Sequence, residues 1–75
     1  MKQYLTGEVF TGNSDARFTV VMSSGTAAIE QKDPGSSSWF ELTSYSVTTS
    51  EVIALGSGFQ YRFTLTGDAT AYLSK

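Results

Sequence analysis

The side chains of this sequence that could do chemistry are its carboxylates, its hydroxyls and its aromatic rings. The 75 residues include no histidine and no cysteine, so neither a histidine-activated serine nor a thiolate nucleophile can be built. The common zinc sites need the same two residue types and are excluded with them. The sequence therefore predicts a protein that is not an enzyme and that holds no cofactor or metal.

Two arrangements of carboxylates could contradict this conclusion, one as a catalytic pair and the other as calcium ligands. Asp33 and Glu41 flank a predicted hairpin tip, as the paired carboxylates of a glycosidase flank a sugar. A chain this short leaves little room, however, for a substrate cleft of roughly 300 Å³ or more. Oxygen ligands for calcium occur at residues 13–15 (Asn13, Ser14 and Asp15) and at Asp68, but these loops supply fewer than the roughly six to eight oxygens that calcium takes. Turn formation explains both loops without an ion.

The charge pattern excludes further classes of partner. The formal net charge is -2, and the five basic residues are scattered along the chain, whereas nucleic-acid binding needs a basic stripe. Phe59, Tyr61 and Phe63 around Arg62 are similar to the strands on which bases stack, but their strict alternation with polar residues favours a core strand. No apolar segment has the length of a signal peptide or a membrane span. We expect a soluble protein made in a cytoplasm, with no nucleic-acid or membrane partner.

The elements that position these residues are predicted to be strands. β-branched and aromatic residues dominate, and turn residues separate short runs of alternating character. The strongest turn signal is Asp33-Pro34-Gly35-Ser36. We predict one all-β domain over residues 1–75, a small antiparallel β-sandwich or barrel of about seven strands with a meander or Greek-key order and no helix. The predicted runs are Tyr4–Phe10, Ala16–Ser23, Thr26–Lys32, Ser37–Tyr45, Glu51–Leu55, Phe59–Thr66 and Ala69–Ser74.

Short links suggest that neighbours in sequence mostly pair with each other. Alternation also predicts which side chains face inward. The expected core consists of Val9, Phe18, Val20, Ile29, Phe40, Leu42, Ile53, Leu55, Tyr61, Phe63, Leu65 and Leu73.

So small a chain needs additional stabilisation, and without disulfides or a metal the remaining source is association. Strand-like residues begin almost at the N-terminus, so Tyr4 and Leu5 are expected on an edge that can add to another sheet. Trp39, Tyr45 and Tyr72 are the other interface candidates, because Trp and Tyr are enriched at binding hot spots. The same three rings could instead form a sugar-stacking platform, and a carbohydrate-binding module is therefore the alternative function. For Trp39, a purely structural place at the hairpin tip is weighed equally.

Two segments resemble a known group of proteins. The hairpin from Ile29 to Phe40, with Asp33-Pro34-Gly35-Ser36-Ser37-Ser38-Trp39 at its centre, resembles the Asp-Gly-Gly-x-Thr-Trp hairpin of many small tailed-phage virion proteins, although Pro34 stands where that pattern usually has Gly. Gln60–Phe63 with Ala69–Ser74 resembles the closing hairpin of the same proteins. The resemblance implies a β-sandwich on a phage particle, commonly a capsid decoration or cement protein. Such a protein clamps neighbouring subunits of the major capsid protein, often as a trimer. The resemblance implies no particular contact residues.

Overall fold

The computed structural model describes residues 2–12 and 15–74. Within these ranges it contains no helix, and its strands are β1 (Lys2–Tyr4), β2 (Val9–Thr11), β3 (Ala16–Val21), β4 (Ala27–Lys32), β5 (Phe40–Tyr45), β6 (Thr49–Ile53), β7 (Gln60–Leu65) and β8 (Thr70–Ser74). None of the described residues belongs to a helix that could cross a membrane. Asn13 and Ser14, which belong to the first predicted turn and to one calcium candidate, lie outside the described residues.

The eight strands form two antiparallel sheets of four. The strand order is β1-β8-β3-β6 in the first, here called sheet A, and β2-β7-β4-β5 in the second, sheet B. The pairs β4/β5, β3/β6, β2/β7 and β1/β8 are nested around one hairpin tip at residues 33–39. The chain is thus one long two-stranded ribbon, and it wraps so that β8 also pairs with β3 and β4 with β7. This is the strand arrangement of an eight-stranded jelly roll.

The predicted all-β class and antiparallel sandwich are confirmed, with two differences in detail. The run Tyr4–Phe10 is two strands, because the chain reverses between Leu5 and Glu8, where the Glu8 N–H donates to the Leu5 carbonyl at 3.0 Å and Gly7 has a φ of 78°. The two halves then enter different sheets. The expectation that sequence neighbours mostly pair is wrong, since β4 and β5 are the only consecutive strands of the described chain that pair.

The core between the sheets is built around aromatic rings. Phe63 lies 6.3 Å from Tyr4, 5.9 Å from Phe10 and 6.5 Å from Phe18, measured between ring centroids. Aromatic pairs at such distances stabilise beyond their buried area. The buried apolar residues are Tyr4, Phe10, Ala16, Phe18, Val20, Ala27, Ile29, Leu55, Tyr61, Phe63, Ala69, Ala71 and Leu73.

Several predicted core positions are corrected by the structure. Val9 is 47% exposed, because the break in the first run turns Phe10 inward instead. Phe40 and Leu42 are 47% and 42% exposed, since they lie on β5 at the margin of sheet B. Ile53 and Leu65 are only partly buried against the core.

Asp68 joins two loops at one end of the sandwich. Its carboxylate accepts hydrogen bonds from the Ser23 hydroxyl, from the Ser23 N–H at 3.0 Å and from the Ser24 N–H at 2.9 Å. The Ser23 hydroxyl, followed by these backbone donors, holds the pKa of Asp68 below its usual value. Asp68 therefore ties the loop after β3 to the turn before β8, which explains this residue without calcium.

Candidate interaction surface

The strand β5 forms one margin of sheet B. It pairs with β4 alone among the described strands, and the register shifts so that Thr43 lies opposite Ile29 while Glu41 lies opposite Glu30. Leu42 is the extra residue of this bulge. A bulge breaks the two-residue alternation, and this is why the side chains of β5 do not follow the predicted inward face.

Exposed apolar side chains are concentrated near this margin. Of the seven large hydrophobic residues that are exposed in the described chain, four lie on β5, on β6 or on the link between them. We call these four the margin cluster: Phe40, Leu42, Val47 and Val52, of which the last two are 66% and 61% exposed. β5 and β6 are edge strands of sheets B and A and are joined by one short link, so these residues lie along neighbouring edges of the sandwich, where exposed apolar groups can form an interaction surface.

Within β5, β6 and the link between them the charged side chains have one sign, although Arg17 of the adjacent β3 donates to the Ser50 hydroxyl at 3.4 Å. Residues 40–53 contain Glu41 and Glu51 and no Lys or Arg, and both glutamates are exposed. Glu51 accepts a hydrogen bond from the Tyr45 hydroxyl at 3.0 Å. The margin cluster is therefore accompanied by negative charge.

Tyr45, one of the predicted interface residues, links the two sheets. Its ring lies 5.3 Å from that of Phe18 in the core, while its hydroxyl reaches Glu51 on β6. Burial, together with the hydrogen bond to Glu51, raises the pKa of Tyr45 although the hydroxyl of Thr43 opposes the rise. Tyr45 thus holds β5 against β6 near the link between them, and only part of its ring is available to a partner.

Trp39, the residue before β5, lies over the outer face of sheet B. Its ring centroid is 4.4 Å from the Arg62 guanidinium and 5.6 Å from the Lys32 ammonium. The Arg62 Nε donates to Glu30 at 2.7 Å, and the Thr64 hydroxyl donates to the same carboxylate oxygen at 2.7 Å. The hydrogen bond from Thr64 makes the largest contribution to lowering the pKa of Glu30, and the bond from Arg62 makes the next largest. Trp39 is half-buried and fixes the chain where it enters β5.

The other interface candidates lie elsewhere. Tyr4 lies on β1, an edge strand of sheet A as expected, but its side chain is 6% exposed and packs in the core, so only its backbone faces that edge. Leu5 is 66% exposed at the end of β1, and Tyr72 lies on the outer face of sheet A opposite Gln3 and Thr19. Trp39 lies on the outer face of sheet B, and Tyr72 lies on the outer face of sheet A. Tyr45 packs against Phe18 between the two sheets. The three rings do not form a single sugar-stacking platform.

An open cavity of about 490 Å³ lies at the end of the sandwich where β1 and β7 finish. It is larger than the sequence led us to expect. Its lining includes Leu5, Thr6, Leu65 and Thr70, and no side chain in the lining carries a charge at neutral pH. Asp33 and Glu41, the carboxylates weighed as a catalytic pair, lie toward the opposite end and do not line it. Among the described residues, no group of acidic side chains is arranged to hold a metal ion.

Searches with protein-family models, with curated proteins and with solved structures find nothing that matches this chain. The candidate interaction surface therefore rests only on the exposure, strand pairing and contacts of this chain. Alternation placed Phe40 and Leu42 inside, so sequence reasoning missed the margin cluster, and the interface role of Trp39 stays a prediction. The sequence offers no distinctive signal for this cluster, since the lack of Lys and Arg between residues 40 and 53 is shared by residues 3–16 and 18–31.

Proposed function

We propose that this chain is a non-enzymatic structural protein of a phage particle, a capsid decoration protein that clamps neighbouring subunits of the major capsid protein. The observation that carries the proposal is the margin cluster on a small, chemically plain β-sandwich. A stable contact buries roughly 800 Å² per partner, which is about a fifth of the 4109 Å² that the chain exposes. One side of the molecule is large enough to supply it.

Two further arguments support the proposal. Jelly rolls occur in viral capsid domains as well as in lectins and cupins, although a fold alone does not define a function. The hairpin from Ile29 to Phe40, which resembles that of small tailed-phage virion proteins, is the tip of the ribbon around which the strands of this fold are nested. Repetition of weak contacts over a capsid lattice would raise the overall affinity through avidity.

We further propose that the chain forms an oligomer, a trimer by analogy with the proteins it resembles. The strand β1 is an edge of sheet A, and Leu5 at its end is exposed. An edge strand presents unpaired backbone groups to a second chain, and the three residues of β1 would contribute a short pairing of this kind. Size-exclusion chromatography with light scattering would give the mass directly, and a monomer at micromolar concentration would contradict the trimer.

The function is tested with capsids of the phage whose genome encodes the chain. Particles lacking the protein are mixed with purified chain and sedimented, and the pellet is analysed for a fixed ratio of chain to capsid subunit. We expect saturable binding, and mass spectrometry should find the chain in wild-type virions. Its absence from virions, together with no binding to capsids, would refute the proposal.

Carbohydrate binding is a less well supported alternative, because the three aromatic residues proposed for it lie on different faces of the sandwich. A glycan array is expected to show no signal above background. A specific hit that is lost in Trp39→Ala would favour this alternative over the capsid role.

A further inference from the structure

The four edge strands of the two sheets differ in length and in how well they are protected against pairing with another chain. Sheet edges that could pair with other chains are usually short, carry Lys or Pro, or contain a β-bulge. The strands β1 and β2 are three residues each, and β1 contains Lys2. By contrast β5 and β6 are six and five residues long and contain neither Lys nor Pro. The bulge at Leu42 interrupts one part of β5, while Thr43–Tyr45 pair regularly with Ile29–Ala27.

The side chains around β5 define the chemistry of a chain that could pair with it. Phe40 and Leu42 offer apolar contacts at the margin, and Glu41 and Glu51 are the only ionisable side chains between residues 40 and 53 apart from Tyr45. An added strand places its side chains within about 5 Å of those on the neighbouring strand, where opposite charges attract. Lys or Arg between apolar residues would complement this edge.

A second copy of the chain is a poor complement. Its own β5 and β6 bring further glutamates and no basic residue, so pairing of two such edges adds like charges. The shorter β1, with Lys2, has this ammonium engaged by Glu8 at 3.0 Å. The charge pattern therefore favours a different partner.

We propose that the exposed edge of β5 is a docking site for an extended, basic and apolar segment of a partner protein, which adds to sheet B as a fifth strand beside β5. The inference rests on the proposed function in that it assigns the surface by which a capsid partner is bound. Backbone hydrogen bonds supply affinity in this mode of recognition, and the side chains supply selectivity.

The site is tested with the full chain and two synthetic eight-residue peptides, one alternating Lys with Val and the other alternating Glu with Val. Trp39 is the only tryptophan and directly precedes β5, so its fluorescence reports binding. Hydrogen exchange followed by NMR identifies the strand that is covered. We expect saturable binding of the Lys peptide, at least about tenfold tighter than the Glu peptide at low salt, with new protection of β5 amides.

Variants separate local from overall electrostatics. Glu41→Gln raises the net charge of the chain by one and should weaken the Lys peptide about threefold, and Glu41→Lys should weaken it about tenfold. Gln3→Lys is the matched control, since it also adds one positive charge but lies on β1 at the opposite edge. We expect it to change affinity less than twofold.

Three results would overturn the site: equal binding of both peptides, equal weakening by Gln3→Lys and Glu41→Gln, or protection that appears on another strand. Protection of β5 that rises with protein concentration in the absence of peptide would assign the edge to a second copy instead. Because the peptides involve no virus particle, loss of this site leaves the capsid proposal to its own sedimentation test. Binding of the Lys peptide to β5 by a chain that ignores capsids would refute the capsid proposal alone.

Discussion

Phe63 is the residue on which the core most depends. It is 2% exposed and approaches the rings of Tyr4, Phe10 and Phe18, which come from both sheets. Phe63→Ala would leave a cavity between the sheets, and we expect it to lower the free energy of unfolding by about 3 to 5 kcal/mol. Such a loss is comparable with the total stability of a small domain. Urea denaturation followed by circular dichroism would measure it, and an unchanged transition midpoint would contradict the assigned core.

Gly25 lies where two turns touch. Its φ is 91°, and a Cβ at this position would meet the backbone of Thr66 and come within 2.8 Å of the Gly67 Cα. Gly25→Ala is expected to cost about 3 kcal/mol or more, because neither backbone can give way easily. Gly35→Ala is the matched control, since Gly35 has a similar φ of 80° but nothing within 4 Å of its Cβ position. It should cost only about 1 kcal/mol, and equal melting temperatures for the two variants would contradict the close contact.

The inward face was predictable wherever alternation was uninterrupted. Phe18, Val20, Ile29, Tyr61, Phe63 and Leu73 are buried as expected. Prediction failed at Val9 because the local reversal between Leu5 and Glu8 divides the first run. It failed at Phe40 because β5 lies at the sheet margin and carries a bulge, and both depend on tertiary pairing that a single strand does not encode. The buried alanines were missed for a different reason: a small apolar side chain suits the surface as well as the narrow space between two sheets.

At the scale of elements, hydrogen-bonded carboxylates connect neighbouring segments. Asp68 joins two loops, Glu30 joins β4 to β7, and Glu8 accepts hydrogen bonds from the Leu5 N–H and from Lys2. The pKa of each is lowered by these bonds, from ordinary values of 3.8 for Asp and 4.5 for Glu. Each connection is therefore fully present above the ordinary pKa and is lost as the pH falls through the lowered one.

We accordingly expect the stability of the chain to be constant near neutral pH and to decrease as the pH falls below 4.5, the ordinary pKa of Glu. Urea denaturation between pH 7 and pH 2.5 would show this decrease. Asp68→Asn should be less stable at pH 7 and should show a shallower dependence on pH. If the free energy of unfolding of this variant fell with pH as steeply as that of the wild-type chain, the Asp68 hydrogen bonds would not contribute to the pH dependence.

Trp39 connects three strands, since its ring contacts Lys32 of β4 and Arg62 of β7 just before β5 begins. Trp39→Ala is expected to spare folding and to lower the melting temperature by only a few degrees, because the ring is half-buried and outside the core. It should weaken association, as an aromatic anchor at an interface does when it is truncated. Melting curves and light scattering measure the two effects separately. Undiminished association would leave Trp39 with a structural role only.

At the scale of the whole molecule, composition and turn signals predicted the class of fold but not its topology. The Asp33–Ser36 turn was recognised, and the only pairing of consecutive strands within the described chain does surround it. The remaining pairs join segments far apart, and their short links were misleading because a short link can also carry the chain across to the opposite sheet. β8 illustrates this, since it pairs with β1 and β3 and not with β7.

The nested ribbon sets an order for folding. The β4–β5 hairpin closes the shortest loop and can form first, whereas the pairing of Lys2 with Leu73 closes nearly the full chain. Loop-closure entropy makes such distant pairings late and slow, so a topology of this kind is expected to fold in milliseconds to seconds. β8 lies between β1 and β3 in sheet A, so that sheet has no continuous centre until residues 70–74 have left the ribosome. Sheet A can therefore be completed only after β8 has emerged, and until then the partly formed sheets expose apolar edges to other nascent chains.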